Sequence, residues 1–162
     1  MNLWAEYNKL SYIDLRKHTQ LQEVDLHHNQ LIDIDIEGIP AGVIYLHNNK
    51  LERVNVKGCV NLGEFYVHNN PVKYLSLATN VALNQLDCRN TQIKSLDLSN
   101  NENMSFLFAT ENPNLRTIFI NPLSSYSALT YDDHVTVYYR DPESYDDVNN
   151  GNWGDEDVNP WE

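Results

Sequence analysis

The chain has 162 residues, of which 41% are hydrophobic, and its formal net charge at pH 7 is −12. This size and composition predict one domain with a core, and no run approaches the roughly 18 apolar residues of a membrane span, so membrane insertion is not predicted. The acid is concentrated from Asp132 onward, and no basic stripe is available for phosphates, which argues against nucleic-acid binding.

The first residues, MNLWAEYNKLSY, have no basic start and no apolar stretch of the kind found in signal peptides, so no signal peptide is predicted. Leu3, Ala5 and Asn8 already fit the repeat described below. We therefore expect an uncapped strand edge at the N-terminus, which makes self-association through this edge possible. The two cysteines cannot form a disulfide framework, and they leave the localisation open.

A pattern with a period of about 21 residues runs through the chain and is clearest from Leu83 to Met104. Each half of the period reads L-x-x-L-x-L-x-x-N, and the halves begin near residues 10, 21, 31, 41, 51, 62, 72, 83, 93, 104 and 115. A fixed period of this length predicts a solenoid. The expected fold is a β-rich leucine-rich repeat solenoid of about six coils with two short parallel strands per coil.

The last position of the pattern is most often asparagine. It falls on Asn8, His18, Asn29, Ile39, Asn49, Cys59, Asn70, Asn80, Thr91, Asn101 and Asn112. An inward asparagine can bond the backbone of the adjacent coil, where buried peptide groups would otherwise lack partners. We therefore predict a buried asparagine column.

The pattern ends at Pro122, which divides the chain into a solenoid over 1–123, a C-terminal cap over 124–140 and an acidic tail over 141–162. Within the cap, residues 124–129 are predicted to form a helical turn and residues 134–140 a strand.

The tail is rich in Asp, Asn and Gly, a composition typical of disorder, but it also contains Trp153 and Trp161. We expect these tryptophans to hold the tail across the cap or a face of the solenoid. A calcium loop is not predicted, because Val148 would occupy a ligand position.

Residues 83–101, LNQLDCRNTQIKSLDLSNN, resemble the 21-residue, internalin J-like repeat of the bacterial internalin-type leucine-rich repeat proteins, L-x-x-L-x-C-x-x-N-x-L-x-x-L-D-L-S-x-N. The resemblance covers about residues 1–123 and implies a surface or secreted protein of adhesion or recognition. The sequence departs from the family in having Cys88 alone where the family stacks a ladder of cysteines, and in lacking a leader and a wall-anchoring motif.

Two outward columns on one side of the predicted solenoid are rich in aromatic residues and histidine. The first comprises Trp4, Asp25, Tyr45, Tyr66, Asp87 and Phe108, and the second Glu6, His27, His47, His68, Arg89 and Thr110. Because neighbouring strands lie about 4.8 Å apart, each column is a continuous row. We call this side the aromatic face, and its candidate ligand-binding residues are Trp4, His27, Tyr45, His47, Tyr66, His68, Arg89 and Phe108.

These features predict a non-enzymatic interaction or adhesion module whose aromatic face binds a protein, or else a glycan. An alternative interpretation of the rows is that they only stabilise the sheet. A second hypothesis for the function is a structural subunit of a bacterial surface or phage assembly that docks through its N-terminal edge and acidic tail. No catalytic motif is found.

Two further interpretations concern the histidine row. His47 and His68 could converge on a metal ion, but no acidic third ligand is evident, so neither a metal site nor a cofactor is predicted. A pH-responsive interface remains open, because stacked imidazolium charges repel one another.

Overall fold

The computed structural model describes residues 1–141, which form strands and turns and no α-helix. The strands are β1 (Asn2–Trp4), β2 (Glu23–Asp25), β3 (Asp33–Asp35), β4 (Val43–Tyr45), β5 (Arg53–Asn55), β6 (Glu64–Tyr66), β7 (Gln85–Asp87), β8 (Ser95–Leu98), β9 (Phe106–Ala109), β10 (Thr117–Ile120), β11 (Ala128–Tyr131) and β12 (Thr136–Tyr139). Within the described residues, no helix has the length and hydropathy needed to cross a membrane. The predicted acidic tail lies outside this part of the chain from residue 142 onward.

One side of the molecule is a continuous parallel sheet of seven strands, in the order β1-β2-β4-β6-β7-β9-β11. Each strand pairs with the strand one coil further on, so that Ile44 lies beside Phe65 and Phe65 beside Leu86. The predicted leucine-rich repeat solenoid is confirmed, with seven coils where the sequence indicated about six.

The core follows from the alternation of side chains along these short strands. The central residue of β4, β6 and β7 points inward and is fully buried, whereas its neighbours are more exposed. Burial of a side chain such as Phe65 contributes about 1.5–3 kcal/mol. Each coil therefore adds apolar side chains that only the adjacent coils can cover.

The predicted asparagine column lies along the inner turns. Asn29 donates from Nδ2 to the Ala5 carbonyl of the preceding coil at 2.8 Å and to the Leu26 carbonyl of its own coil at 3.1 Å. Asn112 repeats this arrangement with the carbonyls of Cys88 and Ala109. Each of these asparagines therefore connects its coil to the one before it.

The other side of the solenoid is divided into a two-stranded sheet, β3-β5, and a three-stranded sheet, β8-β10-β12. Between the two sheets, residues 74–77 continue the solenoid without forming a strand. Lys50 and Gln92 each donate a backbone N–H to the preceding coil at the entrance to this side. Pro71 occupies the equivalent position and has no N–H to donate, which accounts for the interruption.

Residues 124–140, predicted as a cap, take the form of one more coil. β11 pairs in register with β9, and β12 with β10, and both strands are more exposed than those of the preceding coil. The helical turn predicted over 124–129 is wrong, because these residues lead directly into β11. Leu129 and Val137 are only half-buried and pack against the end of the core.

Candidate functional site

Parallel in-register pairing sets equivalent residues of successive coils side by side on the aromatic face. Tyr45 on β4 lies beside Tyr66 on β6, and Tyr66 beside Asp87 on β7. The structure thus arranges the first outward column as the repeat predicts, in the order Trp4, Asp25, Tyr45, Tyr66, Asp87 and Phe108.

The centre of this column is a stacked tyrosine pair. The rings of Tyr45 and Tyr66 are 4.8 Å apart with an interplanar angle of 16°. The Tyr66 hydroxyl donates to Glu64 Oε2 at 2.8 Å and accepts from Gln85 Nε2 at 2.8 Å. Burial raises the pKa of both phenols, and for Tyr66 the bond to Glu64 raises it further. The pair is therefore neutral at pH 7, and two hydrogen bonds orient Tyr66, on which Tyr45 stacks.

Beside the tyrosines runs a stack of three imidazoles. His47 stacks on His27 at 4.5 Å and on His68 at 4.4 Å, with interplanar angles of 11° and 12°. Burial, with a smaller contribution from the charges of its histidine neighbours, lowers the pKa of His47 to about 4. Burial also lowers the pKa of His68, against the opposing charge of Asp87. The middle of the row is therefore uncharged at neutral pH.

Aspartates lie at both ends of the histidine row. Asp25 Oδ1 accepts a hydrogen bond from Nδ1 of His27. At the other end the nearly buried Asp87 accepts two bonds from Arg89, at 2.9 and 2.6 Å, and lies 3.2 Å from His68 Nδ1. Hydrogen bonding to Asp87 raises the pKa of Arg89, whose guanidinium lies 5.8 Å from the centre of the Phe108 ring.

The structure brings five of the eight candidate residues into a compact group: Tyr45, Tyr66, His27, His47 and His68. Trp4 and Phe108 lie apart from the tyrosine pair, because Asp25 and Asp87 occupy the intervening positions in the column. Trp4 is 66% exposed at the N-terminal edge. The binding role of all eight residues remains a prediction.

Two neighbours of this group were not predicted from the sequence. Tyr7 and His28 stack on each other at 4.4 Å, and both contact His27 edge-on. They belong to the column one position beyond the histidines, in which the residues of the first six coils have a positive φ of 52–62°: Tyr7, His28, Asn48, Asn69, Asn90 and Glu111. The sequence did contain an indication of these two residues. Asparagine, which favours this conformation, is found at this position in the next three coils, and aromatic residues replace it in the first two.

On the side opposite the aromatic face, arginines are paired with aspartates. A shallow cavity there is lined by residues that include Tyr12, Asp14 and Arg16. Arg16 bonds Asp14 at 3.0 Å, and Arg53 bonds Asp33 at 2.8 Å. Toward the C-terminal end this side also has a stacked pair, Phe119 and Tyr138, with ring centres 5.5 Å apart and the Arg140 guanidinium 3.5 Å from the centre of the Phe119 ring. It has no row of stacked imidazoles within the described residues.

No protein-family model and no curated protein sequence matches the chain. Among solved structures, the chain is similar to the functional domain of InlJ (internalin J) from Listeria monocytogenes, a domain described as including a cysteine ladder, with a TM-score of 0.63 and 20% sequence identity. The match covers 85% of this chain and 34% of the other, so this chain spans about a third of that length. Here Cys88 is the one cysteine of its column, between Val67 and Ala109. The described residues have the repeat fold of the internalin J domain, as the repeat pattern predicted.

Proposed function

We propose that the chain is a non-enzymatic interaction module that captures a protein ligand on its aromatic face. The observation that supports this most directly is the half-exposed Tyr45–Tyr66 stack beside the imidazole row. Both rows sit on a seven-stranded sheet, so little conformational entropy is lost when a ligand covers them.

The chemistry of the face favours a ligand with apolar or aromatic side chains over a highly charged one. Its centre is uncharged, and three of its carboxylates accept hydrogen bonds within the face: Glu64 from Tyr66, Asp25 from His27, and Asp87 from Arg89. Tyrosines held in this way are enriched at the centres of protein interfaces, where they combine apolar area with a hydrogen-bonding hydroxyl. Stacked tyrosines can also bind a sugar ring, so a glycan is the second class of ligand to test.

The experiment selects binders from a phage-displayed peptide library on the full chain and measures them against two double variants. Tyr45→Ala with Tyr66→Ala removes the stack, and we expect it to weaken the selected peptides at least about tenfold, since central interface tyrosines each contribute about 1–2 kcal/mol or more. Tyr12→Ala with Tyr74→Ala removes two tyrosines from the opposite side and is the matched control.

Circular dichroism establishes that both double variants remain folded. Equal binding by the two variants would exclude the aromatic face as the ligand site. The same proteins are also tested on a glycan array. If the binding of sugars, and not that of peptides, depends on Tyr45 and Tyr66, the ligand is a glycan.

A second candidate function is that of a structural subunit docking through its N-terminal edge. β1 is the outermost strand of the large sheet. Trp4 at its end is 66% exposed, and Tyr7 in the turn that follows is 71% exposed. An unpaired strand edge with exposed aromatic rings is a natural surface for another chain. Light scattering of the purified chain tests this function, since a monomer at all concentrations would count against it.

A further inference from the structure

Three histidines at the N-terminal end of the aromatic face form a compact group of nitrogen donors. His27, His28 and His47 each place a ring nitrogen within 4.8 Å of the other two. The parallel pairing of β2 with β4 sets His47 beside His27, because each follows its strand by two residues. The positive φ of His28, 54°, brings the adjacent side chain to the same side.

The rings present themselves in two orientations. His27 and His47 are parallel, whereas His28 stands edge-on to both, at 76° and 84°. His28 is exposed, so its side chain is less confined than those of His27 and His47, although its ring stacks on Tyr7. The group therefore combines two parallel rings with one exposed ring that stands edge-on to them.

The carboxylate of Asp25 prepares His27 for coordination. It accepts the Nδ1–H of His27, which leaves the lone pair on Nε2. Histidines that ligate metals almost always donate their other N–H to a carboxylate, a carbonyl or water, and this bond fixes the tautomer. Asp25 thus occupies the position of such an orienting group.

His47 provides an independent indication of a missing partner. Its Nδ1 is buried and makes no hydrogen bond within the described residues. A buried polar atom without a partner calls for an explanation.

We propose that His27, His28 and His47 bind one divalent transition-metal ion such as Zn²⁺, with Asp25 orienting His27. Nitrogen ligands lie about 2.0–2.1 Å from zinc, which sets neighbouring nitrogens about 3.4 Å apart in a tetrahedral site. Parallel rings cannot aim their lone pairs at one point, so His47 turns out of the stack on binding, and His28 closes on the ion from the exposed side. This inference goes beyond the proposed function and does not involve Tyr45 or Tyr66.

The test is a calorimetric titration of the full chain, without an affinity tag, with ZnCl₂. We expect one ion per chain, with an affinity that falls at least about tenfold in His28→Asn and about 10- to 100-fold in Asp25→Asn. His28→Asn is the central variant, because asparagine occupies this turn position in the next coil and the side chain is exposed. His134→Asn, which removes an exposed histidine elsewhere, is the matched control and retains full affinity.

Further measurements keep the test decisive. His68→Asn retains zinc binding if the proposal is right, and the absorption spectrum of the Co²⁺ form reports tetrahedral nitrogen coordination that is lost in His28→Asn. The proposal is overturned if the wild-type chain binds no zinc, if His28→Asn binds as tightly as wild type, or if His68→Asn loses as much affinity as His28→Asn. The double variant Tyr45→Ala with Tyr66→Ala binds zinc normally, so failure of ligand capture and failure of metal binding can be told apart.

Discussion

At the scale of the residue, Asn70 illustrates how one amide joins two coils. Its Nδ2 donates to the carbonyls of Leu46 and Val67 at 3.0 and 2.9 Å, and its Oδ1 accepts from the Leu51 N–H at 3.0 Å. The side chain is buried, and so are the peptide groups that it satisfies. No other residue type supplies donors and an acceptor in this short, planar form, since aspartate has the same shape but lacks the donors.

Asn70→Ala is therefore expected to lower the free energy of unfolding by about 3 kcal/mol, because each buried peptide group left without a partner costs about 1–3 kcal/mol and water can compensate in part. Urea denaturation measures the change. Asn8→Ala is the matched control: Asn8 occupies the same column but is exposed, so a loss under about 0.5 kcal/mol is expected. Equal losses for the two variants would mean that the column does not stabilise the coils through its buried bonds.

Individual residues also show where sequence reasoning was sufficient and where it was not. The positions of Tyr45, Tyr66 and His47 followed from the repeat alone, since a parallel register fixes which side chains are neighbours. His28 was missed because it lies in the turn after the strand, where counting along the repeat does not give the direction of a side chain. That direction depends on its positive φ, a property of the folded turn.

At the scale of the element, the turns that follow the strands of the aromatic face share the left-handed conformation. In three consecutive coils this position is asparagine, and the amides bond one another: Asn69 donates to Asn48 at 2.8 Å, and Asn90 donates to Asn69 at 2.9 Å. Asparagine tolerates positive φ better than other residues with a Cβ. The turn thus favours asparagine twice, through its backbone and through its amide.

Replacing Asn69 separates these two contributions. Asn69→Ala loses both amide bonds and places at φ 56° a residue that tolerates the left-handed conformation less well than asparagine, and we expect the free energy of unfolding to fall by about 1–2 kcal/mol. Asn69→Gly loses the same bonds, but glycine adopts positive φ without a steric cost. The glycine variant should therefore lose about 1 kcal/mol less free energy of unfolding than the alanine variant. Thermal unfolding of the two variants gives the order, and a glycine variant less stable than the alanine variant would contradict the conformational argument.

The elements also differ in how well the repeat pattern predicted them. The seven-stranded sheet was anticipated because each of its strands carries the same inward residues. The gap in the other sheet was not, since Pro71 lies at an exposed position that the apolar pattern leaves free and acts only through its missing N–H. Residues 124–140 carry too few buried side chains to show the period, and yet their backbone pairs with the preceding coil in register.

At the scale of the whole molecule, each coil is stabilised only by its neighbours along the axis. Hydrogen bonds between strands join adjacent coils, and the buried side chains form one continuous core. The apolar period therefore specifies the solenoid and leaves the outward positions free. For the same reason the pattern predicts the fold in detail but does not identify a ligand.

This architecture predicts that the effect of a core truncation depends on the coil in which it lies. Phe65 is fully buried on β6, the fourth of the seven strands, with three strands on either side. Phe65→Ala should lower the free energy of unfolding by about 3–5 kcal/mol. It should also raise amide hydrogen exchange along the whole array, because only three coils remain on either side, and about three repeats are the least that form a stable solenoid. Leu129→Ala, a truncation at a half-buried position of the terminal coil, is the comparison.

For Leu129→Ala we expect a loss of about 1 kcal/mol or less, with faster exchange confined to β11 and β12, since the six coils before it keep their own neighbours. Hydrogen exchange read by mass spectrometry resolves the two patterns. If Leu129→Ala raised exchange throughout the chain as Phe65→Ala does, the array would unfold as a single cooperative unit, and the terminal coil would stabilise the molecule as much as a central one. Leu129 and Val137 cover the apolar end of the core, and β9 and β10 are the strands next to them. Amide exchange in β9 and β10 therefore shows how far the terminal coil stabilises the coils before it.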